Sequence, residues 1–235
     1  MAAHAAVAAA LLRFAYPRIS SARRRALTRW WCAKLLRILN VSALVEGRPP
    51  RSGARATMVA ANHVSWLDIF VISSARPTRF VAKSEIRDWP IAGWIAEKSG
   101  TLFVRRDQLR DTARINARVH AALSEGDCVG LFPEGITTEG DTLLKFHSAL
   151  FEPAVANAAH VYPVAIRYED RRGGLCREAS FAGDRTFMQS LALIIRQKGV
   201  VAKIAFAEPL EAGQMTRREA AKQARKEIAL LLDIP

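Results

Sequence analysis

The residues best suited to chemistry lie in one short segment, Asn62-His63-Val64-Ser65-Trp66-Leu67-Asp68. A carboxylate that accepts a hydrogen bond from one imidazole nitrogen leaves the other nitrogen free to take a proton. Five residues of regular helix turn the chain by about 500°, so His63 and Asp68 cannot pair on one helical face. They can pair if His63 precedes a helix that has Ser65 as N-cap and Asp68 as its third residue. The alternative is a plain capping box beside an incidental loop histidine.

The histidine-to-acid spacing is weak evidence by itself. His120 and His147 also precede a glutamate by five residues. Only His63 follows an apolar run that is typical of a buried strand, Thr57–Ala61, and we expect His120 to be a solvated residue near a helix end.

A second candidate is the segment Leu131-Phe132-Pro133-Glu134-Gly135-Ile136-Thr137-Thr138. Pro133 ends the preceding apolar strand, and Gly135 permits an unusual backbone conformation. Glu134 is therefore expected on a tight loop at a strand end, where function often collects. An exposed acid on an ordinary turn is the alternative.

Basic residues follow two further β-like runs. Lys83 comes after Arg79–Ala82, and Arg105 and Arg106 come after Thr101–Val104. At strand ends such side chains can bind an anionic headgroup, although each taken singly also fits a solvated surface charge.

The elements that must position these residues alternate between two periodicities. The β-like runs are Val41–Glu46, Thr57–Ala61, Arg79–Ala82, Thr101–Val104, Cys128–Phe132, Val161–Ile166 and Val200–Phe206. The helical runs are Trp66–Ser74, Ile91–Lys98, Leu109–Leu123, Phe187–Gln197 and Thr216–Leu232. This alternation predicts an α/β fold with a mixed, largely parallel central sheet flanked by helices. In such sheets the chemistry gathers beyond the strand ends.

The positive charge lies mainly at the N-terminus. The chain carries a net charge of +13, and residues 1–60 hold 11 Lys and Arg against the single acid Glu46. Ala22–Leu39 has the pattern of an amphipathic helix, with an apolar stripe formed by Leu27, Trp30, Trp31, Leu35 and Ile38. Residues 1–40 are therefore predicted to dock on a membrane surface. A surface helix packed on the core and a nucleic-acid-binding patch are the alternatives.

Composition and missing motifs exclude several classes. The chain has no GxxxxGK[ST], GxGxxG, HExxH or GxSxG motif, which disfavours nucleotide hydrolysis, dinucleotide redox chemistry and serine hydrolysis. The apolar stretch Met1–Leu12 is shorter than the roughly 20 residues that cross a bilayer, and it lacks the basic start of a secretory signal. Three widely spaced cysteines indicate a reducing compartment.

Four segments, in order, resemble the motifs of the lysophospholipid acyltransferase family, typified by 1-acylglycerol-3-phosphate acyltransferase. They are NHVSWLD, GTLFVRR, FPEG and VYPVAI, and the resemblance extends over roughly Val41 to Leu210. It implies an acyltransferase domain over residues 41–235. It also implies that His63 is the catalytic base and Asp68 its orienting acid.

The same resemblance places Arg105, Glu134 and Gly135 in the acceptor-binding region. One departure concerns the acceptor: many members that form phosphatidic acid have Thr-Arg after the glycine of the third motif, whereas this chain has Ile136-Thr137. Lys83 and Arg105 remain able to hold a phosphate, and Thr137 is a further candidate substrate-binding residue. Relatives that acylate lyso-ornithine lipids resemble the Thr137-Thr138-Glu139-Gly140 segment more closely. We expect 1-acylglycerol-3-phosphate as acceptor, with a lyso-ornithine or other lyso-amino-acid lipid as the alternative. A non-catalytic membrane-bound scaffold is the alternative of another class.

The expected reaction is direct transfer from acyl-CoA or acyl carrier protein to the free hydroxyl of a lysolipid, without an acyl-enzyme, a metal or a cofactor. Backbone amides near His63 are candidates for stabilising the oxyanion. We expect the protein to act on the cytoplasmic face of the inner or plasma membrane, as a peripheral or monotopic protein, with no nucleic-acid partner.

Overall fold

The computed structural model describes residues 7, 13–14, 18–51, 53, 56–83, 97, 100–104 and 109–234. In chain order the elements are α1 (Ser21–Ile38), β1 (Val41–Gly47), β2 (Thr57–Ala61), α2 (Asp68–Ala75), β3 (Arg79–Lys83), β4 (Leu102–Val104), α3 (Leu109–Ser124), β5 (Cys128–Leu131), α4 (Glu152–Ala156), β6 (His160–Glu169), α5 (Phe187–Arg196), β7 (Val200–Phe206), β8 (Leu210–Glu211) and α6 (Arg217–Leu232). Short 3₁₀ turns lie at Ser148–Phe151, Arg177–Ala179 and Ala212–Gln214.

The described strands form one mixed sheet in the order β1-β7-β6-β2-β5-β3-β4, with β8 paired to β6. The four strands β2, β5, β3 and β4 are mutually parallel where they pair, and β2 also runs parallel to β6. Strand β7 is antiparallel to β6 and parallel to β1. The carboxyl ends of β2, β3, β4 and β5 therefore lie along one edge of the sheet.

Strand β2 is buried on both faces and separates two apolar clusters. Met58 and Ala60 face the cluster that includes α3 and α6, whereas Val59 and Ala61 face the cluster that includes α1, α2 and α5. This arrangement follows from the alternation of side chains along a strand, and it makes three layers of helices, sheet and helices. The predicted fold class and the predicted strands are confirmed. Apart from Glu97, the predicted helix Ile91–Lys98 lies outside the described residues.

Helix α1 forms as predicted, and its predicted apolar stripe is divided between the fold and the surface. Cys32, Leu35 and Leu36 are buried against the rest of the fold, whereas Trp30 and Ile38 of the predicted apolar stripe are 52% and 40% exposed. The reason is that α1 packs on α2 and leads directly into β1, and these neighbours set the buried face. Among the described helices none is long and apolar enough to cross a bilayer.

Candidate active site

Asn62 ends strand β2 and starts the loop that carries the candidate base. The last paired residues are Ala61 and Val164 of β6. The fully buried Asn62 side chain then takes over the pairing: its Nδ2 donates to Ile166 O at 2.9 Å and its Oδ1 accepts from Ile166 N at 2.7 Å. Because a side chain replaces the backbone in this ladder, the main chain leaves the sheet at His63.

His63 and Asp68 form the hydrogen-bonded pair that the sequence predicts. The distance from His63 Nδ1 to Asp68 Oδ2 is 2.8 Å. Since an ionised carboxylate only accepts, Nδ1 carries a proton, and in the neutral imidazole Nε2 then presents the lone pair. No described residue makes a hydrogen bond to Nε2, and the His63 side chain is 21% exposed. The free nitrogen can therefore accept a proton from a molecule in the site.

Four donors hold the buried Asp68 carboxylate. Oδ2 also accepts from the N–H groups of Val64 and Ser65, at 2.8 and 2.9 Å, and Oδ1 accepts from Tyr168 Oη at 2.7 Å. Asp68 is the first residue of α2, where the N-terminal end of the helix favours negative charge. A completely buried carboxylate is thus fully hydrogen-bonded.

The predicted Ser65 cap is wrong in one respect. The N-cap position of α2 is Leu67, without a side-chain cap, and the buried Ser65 Oγ has no hydrogen-bond partner among the described residues. Trp66 and Leu67 form a turn that delays the helix until Asp68. Only the reverse half of a capping box exists, from the Ser65 N–H to the Asp68 carboxylate.

Glu134 is buried, with only 4% of its surface exposed, and is not an exposed acid on an ordinary turn. Its Oε1 accepts from His63 N and its Oε2 from Leu144 N, each at 2.8 Å. Burial raises the pKa of Glu134, and the two backbone N–H groups of Leu144 and His63 partly oppose that effect. The carboxylate fixes the main chain of the candidate base.

The loop after Glu134 contacts the histidine loop at two further points. Thr138 N donates to His63 O at 2.9 Å, so both backbone groups of His63 are held by the third-motif segment. Thr137 Oγ1 donates to Phe181 O at 2.5 Å, while Phe181 N donates to Val64 O at 2.8 Å. The hydroxyl of Thr137 is therefore engaged in joining two loops.

Gly135 turns the chain with a φ of +81°, a conformation that favours glycine. A Cβ at this position would lie 3.4 Å from the His147 ring. The glycine therefore allows the tight turn that the sequence predicts, and the structure places this turn beside His147.

The structure describes only part of the two predicted basic ligands, Lys83 and Arg105. Lys83 is the last residue of β3 and pairs with Val104 of β4, so its backbone lies at the same sheet edge as His63 and Glu134. Its side chain is not among the described parts of the chain. Arg105 lies outside the described residues. Binding roles for Lys83, Arg105, Glu134, Gly135 and Thr137 stay predictions.

The imidazole of His63 stacks on Phe132. The ring centroids are 3.9 Å apart with an interplanar angle of 10°, and Phe80 stacks behind Phe132 at 5.6 Å. Face-to-face contact restrains the plane of the imidazole and leaves its two nitrogen edges free for hydrogen bonds.

Backbone amides near His63 were expected to be candidates for an oxyanion site, and the nearest are those of residues 63–65. All three are already engaged, His63 N with Glu134 and the other two with Asp68. This expectation is wrong for these three amides, because they stabilise the two carboxylates that hold the site together.

Comparison with known proteins agrees with this geometry. A family model described as Acyltransferase matches residues 43–167. The chain belongs to the acyltransferase family. This acyltransferase is 40% identical to a lyso-ornithine lipid O-acyltransferase of Pseudomonas aeruginosa over 89% of its own length and 79% of that protein. It is 39% identical to a 1-acyl-sn-glycerol-3-phosphate acyltransferase of Neisseria gonorrhoeae, over 78% and 72% of the two chains.

A solved structure also shares the fold of this acyltransferase. It is the 1-acyl-sn-glycerophosphate acyltransferase PlsC from Thermotoga maritima, with a TM-score of 0.69 and 18% identity, covering 96% of this chain and 87% of that one. The resemblance inferred from the four sequence motifs and the assignment as an enzyme of this class are confirmed.

Sequence reasoning missed three members of the site. Tyr168 and Asn62 bind across the β2–β6 pairing, and Phe132 supports the imidazole ring. Asn62 and Phe132 lie inside recognised motifs, so their position offered a signal. Tyr168 lies 100 residues from Asp68 and beyond the predicted strand Val161–Ile166, and it offered none.

Proposed function

We propose that this acyltransferase moves a fatty acyl group from acyl-CoA or acyl carrier protein to the free hydroxyl of a lysophospholipid, with His63 as general base. The observation that carries the proposal is the His63 Nδ1–Asp68 Oδ2 contact of 2.8 Å, with Nε2 free of hydrogen bonds to any described residue. In the neutral imidazole this arrangement leaves the accessible nitrogen to accept a proton.

In the proposed reaction the lysolipid hydroxyl gives its proton to His63 Nε2 while its oxygen bonds to the thioester carbonyl carbon. The tetrahedral intermediate then collapses, the carbon–sulfur bond breaks, and the leaving thiolate takes the proton back from the imidazolium. Asp68 stabilises the imidazolium between these two steps. No acyl-enzyme forms, and the products are the diacyl lipid and the free thiol.

The first acceptor we propose is 1-acylglycerol-3-phosphate. Lys83 ends β3 at the sheet edge that carries His63, and Arg105 is the next residue in the sequence after the end of β4. Cationic side chains at this edge are suited to a phosphate headgroup. The Neisseria relative, named for this acceptor, supports the assignment.

The second acceptor we propose is a lyso-ornithine lipid, and Thr137 favours it. This residue occupies the position where many phosphatidic-acid-forming members have arginine, and its hydroxyl already donates to Phe181 O. Thr137 therefore adds no charge for a phosphate. The Pseudomonas relative, named as a lyso-ornithine lipid O-acyltransferase, supports this alternative.

An acceptor panel tests both assignments. Purified enzyme receives acyl-CoA together with 1-acylglycerol-3-phosphate, lyso-ornithine lipid or glycerol 3-phosphate, and thiol release is measured with and without acceptor. We expect acceptor-dependent release with one lysolipid and none with glycerol 3-phosphate. Absence of release with both lysolipids, with either acyl-CoA or acyl carrier protein as donor, would support a non-catalytic scaffold and overturn the proposal.

We also propose that α1 docks on an anionic membrane surface through its exposed side. At about 100° per residue, Arg23, Trp30, Lys34, Arg37 and Ile38 fall within one third of the helix circumference. All five are exposed. Basic side chains around an exposed tryptophan are suited to the interface of an anionic bilayer. The cytoplasmic leaflet and the peripheral or monotopic mode of binding belong to the same proposal.

A further inference from the structure

The Tyr168 phenol is the fourth donor to Asp68 and the one that comes from farthest along the chain. Tyr168 and Asp68 are both completely buried, and Tyr168 Oη lies 2.7 Å from Asp68 Oδ1. The other three donors all bind Oδ2. Tyr168 is thus the only described residue that hydrogen-bonds to the second oxygen.

Rotation about the Cβ–Cγ bond moves both oxygens of a carboxylate, and the three donors on Oδ2 all come from the one loop that precedes α2. A donor fixed on the other oxygen from strand β6 restrains that rotation, and with it the direction from which Oδ2 meets the imidazole. The same donor withdraws negative charge from the carboxylate and so weakens its stabilisation of an imidazolium. The contact therefore acts on both the orientation and the basicity of His63.

We propose that Tyr168 is a positioning residue of the acyl-transfer reaction, which orients the Asp68 carboxylate and tunes the basicity of His63. The proposal rests on the proposed function, because it acts only through the assigned base. Burial, together with the Asp68 charge, raises the pKa of the Tyr168 phenol well above its usual range, so the phenol remains a donor at every pH at which the enzyme works.

Other titratable groups surround this chain of contacts. Glu134 faces His63 from the loop after β5, His147 lies beside Gly135, and Cys176 N donates to Tyr168 O. The ion pairs of Glu169 with Arg167 and Lys203 lie on the opposite face of the sheet, because adjacent residues of a strand point to opposite sides. A change confined to the Tyr168 hydroxyl leaves all of these groups in place.

The test compares Tyr168→Phe with Tyr162→Phe, which removes a hydroxyl from the same strand without touching Asp68. In Tyr168→Phe we expect kcat to fall about tenfold with KM unchanged, because the Asp68 carboxylate loses the hydrogen bond that orients it against His63. We expect the acidic limb of the kcat/KM profile to move to higher pH, by about half a unit or more. Tyr162→Phe should leave both unchanged.

A readout that is independent of activity follows the imidazole itself. The chain has 5 histidines, and the NMR signal of His63 is assigned by its loss in His63→Ala. The titration midpoint of that signal should rise in Tyr168→Phe. It should fall when 3,5-difluorotyrosine, a stronger donor that keeps the ring, is placed at position 168.

Unchanged midpoints in both position-168 variants, with an unmoved acidic limb, would overturn the positioning role even if activity fell. A Tyr168→Phe protein that failed to fold would leave the difluorotyrosine comparison to decide. Failure of the proposed function looks different: His63→Ala would retain acyl transfer, whatever the position-168 variants did.

Discussion

The buried carboxylate of Glu134 joins the His63 loop to the loop that follows β5. Its oxygens accept from His63 N and Leu144 N, and burial raises its pKa above the ordinary value of 4.5. The native protein therefore keeps this proton to a higher pH than the unfolded chain does. Stability associated with Glu134 is fully present below about pH 4.5, and it declines as the pH rises through the native pKa.

The predicted decrease of stability with rising pH can be measured by comparing the wild type with Glu134→Gln. This substitution removes the titrating group at nearly constant side-chain size. In urea unfolding from pH 4 upward, the free energy of unfolding of the wild type relative to the variant should decrease with pH and then level off above the native pKa. A difference that stayed constant, or that increased with pH, would contradict burial as the dominant influence on Glu134.

For individual side chains, the sequence allowed the pairing and location of some to be predicted but not their burial. The His63–Asp68 pair could be predicted, because a strand, a loop and a helix start within seven residues restrict where the two side chains lie. The location of Glu134 could be predicted from Pro133 and Gly135, but its burial could not. Burial depends on Leu144 and on the histidine loop, whose approach is a tertiary property.

Among the elements, strand β2 ends where the Asn62 side chain replaces the backbone in pairing with β6. Asn62→Ala would leave the buried N–H and C=O of Ile166 without these partners, and we expect it to lower the free energy of unfolding by about 2–4 kcal/mol. Acyl transfer should fall as well, because the His63 loop starts from this contact. Chemical denaturation and thiol release measure the two effects.

Asn116→Ala is the matched control for this loss. The Asn116 side chain donates a single hydrogen bond, to Ala149 O at 2.9 Å, and is only half-buried. We expect a loss of about 0.5–1.5 kcal/mol with little change in activity. Equal losses in the two variants would show that the Asn62 pairing with β6 has no special role.

Helix α1 offers a second comparison, between adjacent tryptophans. Trp30 is 52% exposed, whereas Trp31 is half-buried with its ring centroid 5.9 Å from that of Phe70 on α2. Trp30→Ala should weaken binding to anionic vesicles and leave stability unchanged, and Trp31→Ala should lower stability. Vesicle co-sedimentation and thermal unfolding separate the two.

If Trp30→Ala bound vesicles as well as the wild type, in low and in physiological salt, the exposed side of α1 would not be the docking surface. The pattern of α1 predicted the helix correctly but not how its apolar stripe is divided between the fold and the surface. An apolar stripe interrupted by basic residues does not state which side meets α2. Packing on α2 and β1 decided between the two sides.

For the molecule as a whole, the parallel strands explain why distant motifs meet. His63 follows β2, Glu134 follows β5 and Lys83 ends β3, and these strands are neighbours in the sheet. Alternating periodicities were enough to predict the α/β class and this shared edge. The strand order was not readable from the pattern, and so neither was the Tyr168 contact, because it exists only where β6 lies beside β2.

The whole account depends on proton transfer to His63, and acyl transfer by His63→Ala tests it most directly. The control is His120→Ala, which alters an exposed histidine with the same spacing to an acid. With the lysolipid that the wild type accepts, we expect kcat/KM of folded His63→Ala to fall by about 10²–10⁴-fold and that of His120→Ala to stay near the wild-type value. A folded His63→Ala enzyme with kcat/KM within a few-fold of the wild type would contradict the account.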